Sequence, residues 1–129
     1  MKKIETAHAP AASGPYSQAV ALESGKRLLF VSGQLPIDPN TGKVIEGDIA
    51  TLTARVLDNM EAILRAAGSE LKKVLRVEVF LIDLNTDFAE MNEVYHQYFD
   101  FEVAPARQTL QVAGLPLGVR IEISCIAWI

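Results

Sequence analysis

Hydrophobic residues recur at two different periods along this chain, and the periods divide it into helices and strands. Ile49, Leu52, Val56, Met60, Ile63 and Ala67 fall at steps of three and four, the spacing that lines one face of an α-helix. Asp48 stands at the N-cap position of that helix and Gly68 where a left-handed residue would end it. The pattern predicts a helix from Asp48 to Ala67. A second helix is expected from Asp87, with Glu90 three residues on as a capping box. It would carry Phe88, Met91, Tyr95, Tyr98 and Phe99 on roughly one side.

Elsewhere the period shortens to two. Val119, Ile121, Ile123, Cys125, Ala127 and Ile129 alternate with Arg120, Glu122, Ser124 and Trp128, which predicts a strand with one apolar face. Val74 to Ile82 alternates less cleanly, but its β-branched content favours a strand. Gln18–Leu22 and Leu28–Ser32 read as strands joined in a hairpin through Ser24-Gly25. Pro39-Asn40-Thr41-Gly42 is a turn signal, followed by a short strand over Lys43–Ile45. Ala9 to Pro15 reads as a loop, and Leu110–Val112 leads into a second loop over Gly114–Gly118. The order is strands, helix, strand, helix, strands. It predicts an α+β sandwich of one domain over residues 1–129, with both helices packed on one face of a mixed sheet.

Composition narrows the function classes. At 129 residues the chain can bury a core without metals or disulfides, and its 50% hydrophobic content makes a buried subunit interface plausible. Twelve basic against sixteen acidic residues leave a net charge of −4, which disfavours a nucleic-acid partner. The single cysteine, Cys125, allows no intramolecular disulfide and fits a reducing compartment. No apolar run approaches the ~20 residues that span a bilayer. Met1-Lys2-Lys3-Ile4-Glu5 lacks the apolar core of a signal peptide. A cytoplasmic location without membrane attachment is expected.

The glycines form neither a phosphate loop nor a dinucleotide fingerprint. His8 and His96 are far apart, and with one cysteine they make no metal-ligand pattern, so no cofactor or metal is expected. Ser17, Ser32 and Thr109 have no histidine near them in sequence to activate a hydroxyl. Cys125 reads as a small core residue and Asn92 as a polar helix residue. Arg107, in Pro105-Ala106-Arg107-Gln108-Thr109, stands apart. Its guanidinium is a fixed fork of donors that matches a carboxylate and cannot be neutralised to escape burial. In apolar surroundings it wants an anion: either a small carboxylate ligand or a glutamate of the same sheet. Glu122 is either a solvated or ion-paired carboxylate or a working acid. Tyr16, after Gly14-Pro15, is either a packing residue or a rigidly presented phenol.

Taken in order, Gly14-Pro15-Tyr16-Ser17-Gln18-Ala19, Ser32-Gly33-Gln34-Leu35-Pro36, Asn92-Glu93-Val94-Tyr95, Pro105-Ala106-Arg107, Gln111-Val112-Ala113-x-Leu115-Pro116 and Ile121-Glu122-Ile123 form a series. The chain closely resembles the Rid (YjgF-like) family, in particular its RidA branch of imine/enamine deaminases, from about His8 to Trp128. The resemblance implies a chorismate-mutase-like fold assembled as a homotrimer with a cleft between each pair of subunits. It implies cofactor-free hydrolysis of 2-aminoacrylate and 2-aminocrotonate, through their imino tautomers, to 2-oxo acids and ammonia. These intermediates leave pyridoxal-phosphate enzymes, which are the implied functional partners. Carried over by position, Arg107 would grip the substrate carboxylate, Glu122 would position or activate water, and Tyr16 would line the cleft. Ser32, Gly33, Asn92 and Thr109 would complete the substrate-binding set. Thr109 replaces a cysteine common in RidA-type members, which excludes covalent chemistry at that position. A carboxylate-binding protein with little turnover, or an endoribonuclease or translation inhibitor, are the other classes open to the same residues.

Overall fold

The strictest alternation in the chain becomes an interior strand of the sheet. In a computed structural model that describes residues 1–8 and 11–129, the elements in chain order are β1 (Lys2–Ile4), β2 (Ala19–Ala21), β3 (Leu28–Gln34), α1 (Ile49–Ala66), β4 (Val74–Leu81), α2 (Leu84–Tyr98), β5 (Ala106–Gln111) and β6 (Ile121–Trp128). The main sheet has the order β3-β6-β4-β5. β6 runs antiparallel to both neighbours, and β4 and β5 are parallel, so the sheet is mixed.

One face of the sheet is covered by both helices. Ile121, Ile123 and Ala127 of β6 and Val77, Val79 and Leu81 of β4 are fully buried against Val56, Leu57, Met60 and Leu64 of α1 and Met91 and Tyr95 of α2. Each large aliphatic side chain removed from water in this layer stabilises the fold by about 1.5–3 kcal/mol. The opposite face has no helix on it. There Phe30 is 70% exposed and Leu28 49% exposed, beside Arg76 and Glu78, which pair at 2.8 Å.

The α+β architecture expected from the sequence is present, and the differences lie at element ends and pairings. Helix α1 is capped by Asp48, whose carboxylate accepts from the Thr51 amide, and it ends with Gly68 at φ 79°. Its buried stripe runs through Leu57 and Leu64, while Ile63 is 38% exposed. The i+3 step to Ile63 and the i+4 step to Leu64 are equally regular in sequence, and only the sheet beneath selects between them. The cap of helix α2 lies four residues before the expected one. Asp83 accepts from the Thr86 amide and hydroxyl, whereas Asp87 is 2% exposed and accepts from Arg120 at 2.6 Å. A buried carboxylate facing a guanidinium is better served by that charge-assisted bond than by a second role at a helix end.

The expected hairpin between the second and third strands is not formed. β2 pairs with β1, a strand the pattern did not suggest, and Arg27 instead exchanges backbone hydrogen bonds with Ile129. The strand expected over Lys43–Ile45 is reduced to one bridge, Ile37 to Val44. Ala9 and Pro10, the start of the loop expected over Ala9–Pro15, lie outside the described residues. Among the described residues no helix is long and apolar enough to cross a membrane.

Asp83→Ala is expected to lower the thermal midpoint at pH 7 by about 3 °C, while Glu90→Ala leaves it unchanged. The Thr86 amide and hydroxyl hold the Asp83 carboxyl below its ordinary value. The cap is therefore complete above about pH 4 and lost as pH falls through the lower folded value. Calorimetry of the variant and parent from pH 7 down to pH 2 should show the gap closing only at the acid end.

Candidate active site

Arg107 lies on β5, directly beside Val77 of β4 in the parallel register. Laterally paired residues share a sheet face, and Val77 is fully buried beneath the helices. The arginine therefore turns toward α2. There Phe88, Asn92 and Tyr95 stand at i, i+4 and i+7, one face of the helix. Arg107 Nη1 donates to Asn92 Oδ1 at 2.6 Å. Its guanidinium carbon lies 4.6 Å from the Tyr95 ring centroid, 5.6 Å from Tyr16 and 5.9 Å from Phe88.

No ion pair engages Arg107 among the described residues. The glutamate-paired alternative is thus not found among the described residues, where the arginine of this sheet that has such a partner is Arg76, on the other face. Burial pushes the Arg107 pKa down, partly offset by the neighbouring Tyr95 and Tyr16. A guanidinium remains protonated regardless. The result is a half-buried cation with one nitrogen satisfied by an amide oxygen and the rest of its fork uncommitted.

The loop that carries Tyr16 is pinned to the entrance of β5. The Ser17 amide donates to the Pro105 carbonyl at 3.0 Å, and the Ser17 hydroxyl donates to the Ala104 carbonyl. Ser17 is 2% exposed, so its hydroxyl is structural. Gly14 passes close to the site: a Cβ there would stand 3.3 Å from the Tyr16 ring and 3.8 Å from Arg107 Nη2. Contacts from the Ser13 hydroxyl and amide, and the nearby Arg107 charge, hold the Tyr16 phenol below its ordinary pKa. Thr109 sits on the same face of β5 as Arg107, and its Oγ1 is buried without a partner among the described residues.

Glu122 is elsewhere. It pairs with Phe80 of β4, in the row that faces away from the helices. The ladder between β3 and β6 is irregular between Val31 and Gln34, and the displaced residues are Ser32 and Gly33. The Glu122 side chain folds against Gly33, where a Cβ would come within 2.1 Å of Oε1 and 2.7 Å of Cδ. Only a residue without a side chain leaves room for that carboxylate.

The chain thus assembles two clusters. Arg107, Asn92 and Tyr16 come together on the helix-covered face with Thr109 nearby, and Glu122 lies against Gly33 on the open face, with Ser32 next to Gly33 in the chain. Sequence reasoning missed Tyr95 and Phe88 as the walls around Arg107. Their signal was present, since both lie at helical spacing from Asn92, but they read as ordinary core residues. Cys125 is buried, and burial pushes its thiol up to about 12. Among the described residues no group of three or more His, Cys, Asp and Glu is placed to hold a metal.

Comparison with known proteins gives consistent relatives. A family described as Endoribonuclease L-PSP matches residues 6–129. A RutC family protein of Pyrococcus horikoshii is 50% identical over 97% of this chain and 95% of its own. The 2-iminobutanoate/2-iminopropanoate deaminase of Bos taurus is 47% identical over 98% of this chain and 88% of its own. The crystal structure of TdcF from E. coli with bound serine superposes with a TM-score of 0.73, at 44% identity and 98% coverage of both chains.

Gly33→Ala is expected to leave the chain folded, because the clashing atoms belong to the end of a flexible side chain, but to expel the Glu122 carboxylate from its position. A crystal structure of the variant would show the moved side chain. An unmoved Glu122 would mean that the close approach at Gly33 does not set its conformation.

Proposed function

The chain belongs to the Rid (YjgF-like) family, and from that premise we propose that it is a cofactor-free deaminase of 2-imino acids, working as a homotrimer. The observation that carries the reading is Arg107, a half-buried guanidinium with an open fork and no acid partner among the described residues. A carboxylate is the natural complement to that fork. The substrates that fit are small 2-imino acids and the enamines that tautomerise to them, such as the imines of 2-aminoacrylate and 2-aminocrotonate. The serine bound by the E. coli relative carries a carboxylate of the same kind.

Arg107 would hold the carboxylate while Asn92 keeps the guanidinium in place. Glu122 would receive a proton from water as the water oxygen bonds to the imine carbon and the C=N π pair moves to nitrogen. The carbinolamine then collapses: Glu122 returns its proton to nitrogen, the hydroxyl oxygen forms the C=O bond as the C–N bond breaks, and the hydroxyl proton departs with ammonia as ammonium. Protonated imine and water give a 2-oxo acid and ammonium, with no electron left over. A protonated imine carbon is electrophilic enough for water, so the site supplies orientation and one proton acceptor.

In one chain Arg107 and Glu122 occupy opposite faces of the sheet. The site would therefore be completed between subunits, with Arg107 of one chain facing Glu122 of its neighbour. The uncovered sheet face, with Phe30, Leu28 and Leu110 exposed, supports assembly through that surface. Each cleft between subunits would then carry one site, and a functional link to pyridoxal-phosphate enzymes follows from the reactivity of the substrates.

Arg107→Ala should abolish acceleration of 2-oxobutanoate release from a threonine dehydratase reaction while leaving the fold intact. Arg107→Lys should fail nearly as badly, because an ammonium lacks the fork. Glu122→Gln should lower kcat more than it raises KM. Mixing the Arg107→Ala and Glu122→Gln chains in refolded trimers should restore about a quarter of the wild-type sites on random assembly. Failure to complement would place both residues in one subunit's site. Wild-type protein that binds 2-oxobutanoate but never speeds its release would be a carboxylate-binding protein, and RNA cleavage abolished by Arg107→Ala would favour the endoribonuclease reading.

A further inference from the structure

We propose that Tyr95 is a positioning residue for Arg107, and that its buried ring, not its hydroxyl, holds the guanidinium in the orientation that receives a carboxylate. The proposal rests on the reading of Arg107 as the carboxylate anchor. An arginine side chain has several rotatable bonds, and one hydrogen bond from Nη1 to Asn92 fixes a point without fixing the plane. An acid partner would ordinarily supply the second constraint, but none is present among the described residues. The ring of Tyr95 can supply it, because it is the nearest of the three rings to the guanidinium carbon, at 4.6 Å. It is also fully buried, whereas Phe88 is 37% exposed. A cation over an aromatic face is held more strongly where both are removed from water.

The ring itself is firmly seated. Tyr95 stacks on Phe99 with centroids 4.5 Å apart and planes 27° from parallel, and Phe99 is 1% exposed. The Tyr95 hydroxyl has no hydrogen-bond partner among the described residues. A buried hydroxyl without a partner weakens a fold, so the contribution of this residue to Arg107 comes through the face of its ring. That separates Tyr95 from Tyr16 and Phe88, which lie farther from the cation and are less enclosed.

The test measures 2-oxobutanoate binding by titration calorimetry, and deaminase kcat and KM, for four variants beside wild type. Tyr95→Phe, which keeps the ring, is expected to change Kd and KM far less than Tyr95→Leu does and to unfold at no lower temperature. Tyr95→Leu should raise Kd and KM about five- to tenfold while kcat stays within about twofold, the signature of lost uniform binding. Tyr95→Met carries the same comparison if the leucine variant does not fold. Leu64→Val trims a fully buried side chain of α1 rather than the seat of the Tyr95 ring, and its Kd should stay near wild type.

Loss of binding in Tyr95→Phe equal to that in Tyr95→Leu would overturn the proposal by assigning the effect to the hydroxyl. Unchanged binding in the folded leucine or methionine variant would overturn it too, as would an equal loss in Leu64→Val. If wild type binds 2-oxobutanoate but has no deaminase turnover, the deaminase reading falls, and the Kd series alone decides the role of Tyr95. If wild type does not bind the carboxylate at all, the anchor reading and this proposal fall together.

Discussion

A strand presents each side chain to one face of its sheet, and this constraint organises everything else in the molecule. β4 lies between β5 and β6, so it sets the parity of both neighbours. Arg107 is in register with Val77, and Glu122 with Phe80. Phe80 lies three positions after Val77, and an odd offset along a strand means opposite faces. No rotamer change can bring the two side chains to one side. Under the proposed function, assembly is then part of the active site and not a later addition to it.

Each half of the site is maintained against an energetic cost, and each by a different device. On the helix-covered face a cation is partly withdrawn from water without a counter-ion, which is costly unless other groups compensate. An amide oxygen and aromatic faces do so only in part. That partial compensation leaves the fork available, since a carboxylate of the same chain would occupy it. On the open face the device is steric: Gly33 gives Glu122 room that any side chain would take away. The adjoining ladder irregularity places that glycine, and such irregularities commonly re-aim side chains near functional sites.

The family is described by one activity and contains relatives described by another. Under the proposed function, the chemistry of the residues favours the second. Hydrolysis of a phosphodiester needs groups that stabilise charge on phosphate oxygens and commonly a proton donor for the leaving oxygen. Here the cations are fewer than the acids, and His8 and His96 are both exposed, with His96 facing Asp100 at 3.5 Å. Addition of water to an imine asks for less, and an arginine fork with one carboxylate can meet it.

Much of the fold was legible in the sequence because local rules govern it. The apolar period and the Asp48 cap identified α1, and the alternation through β6 identified both its faces. The start of α2 was misplaced because Asp83 and Asp87 are equally good caps in isolation. Asp87 is drawn away by Arg120, a residue thirty-three positions distant that only folding brings near. The β2–β3 hairpin failed for a related reason: a turn signal proposes a pairing, but competing strands decide it. The identities of Arg107, Asn92, Tyr16, Glu122 and Gly33 were legible as a series of motifs. Their division into two clusters was not, because it depends on which strands become neighbours and in what register. The sequence by itself determined the residue types and the local periods, since these follow from the chemistry and geometry of a few adjacent residues. Tertiary structure alone decided which side chains meet, through strand pairings that join residues far apart in the chain.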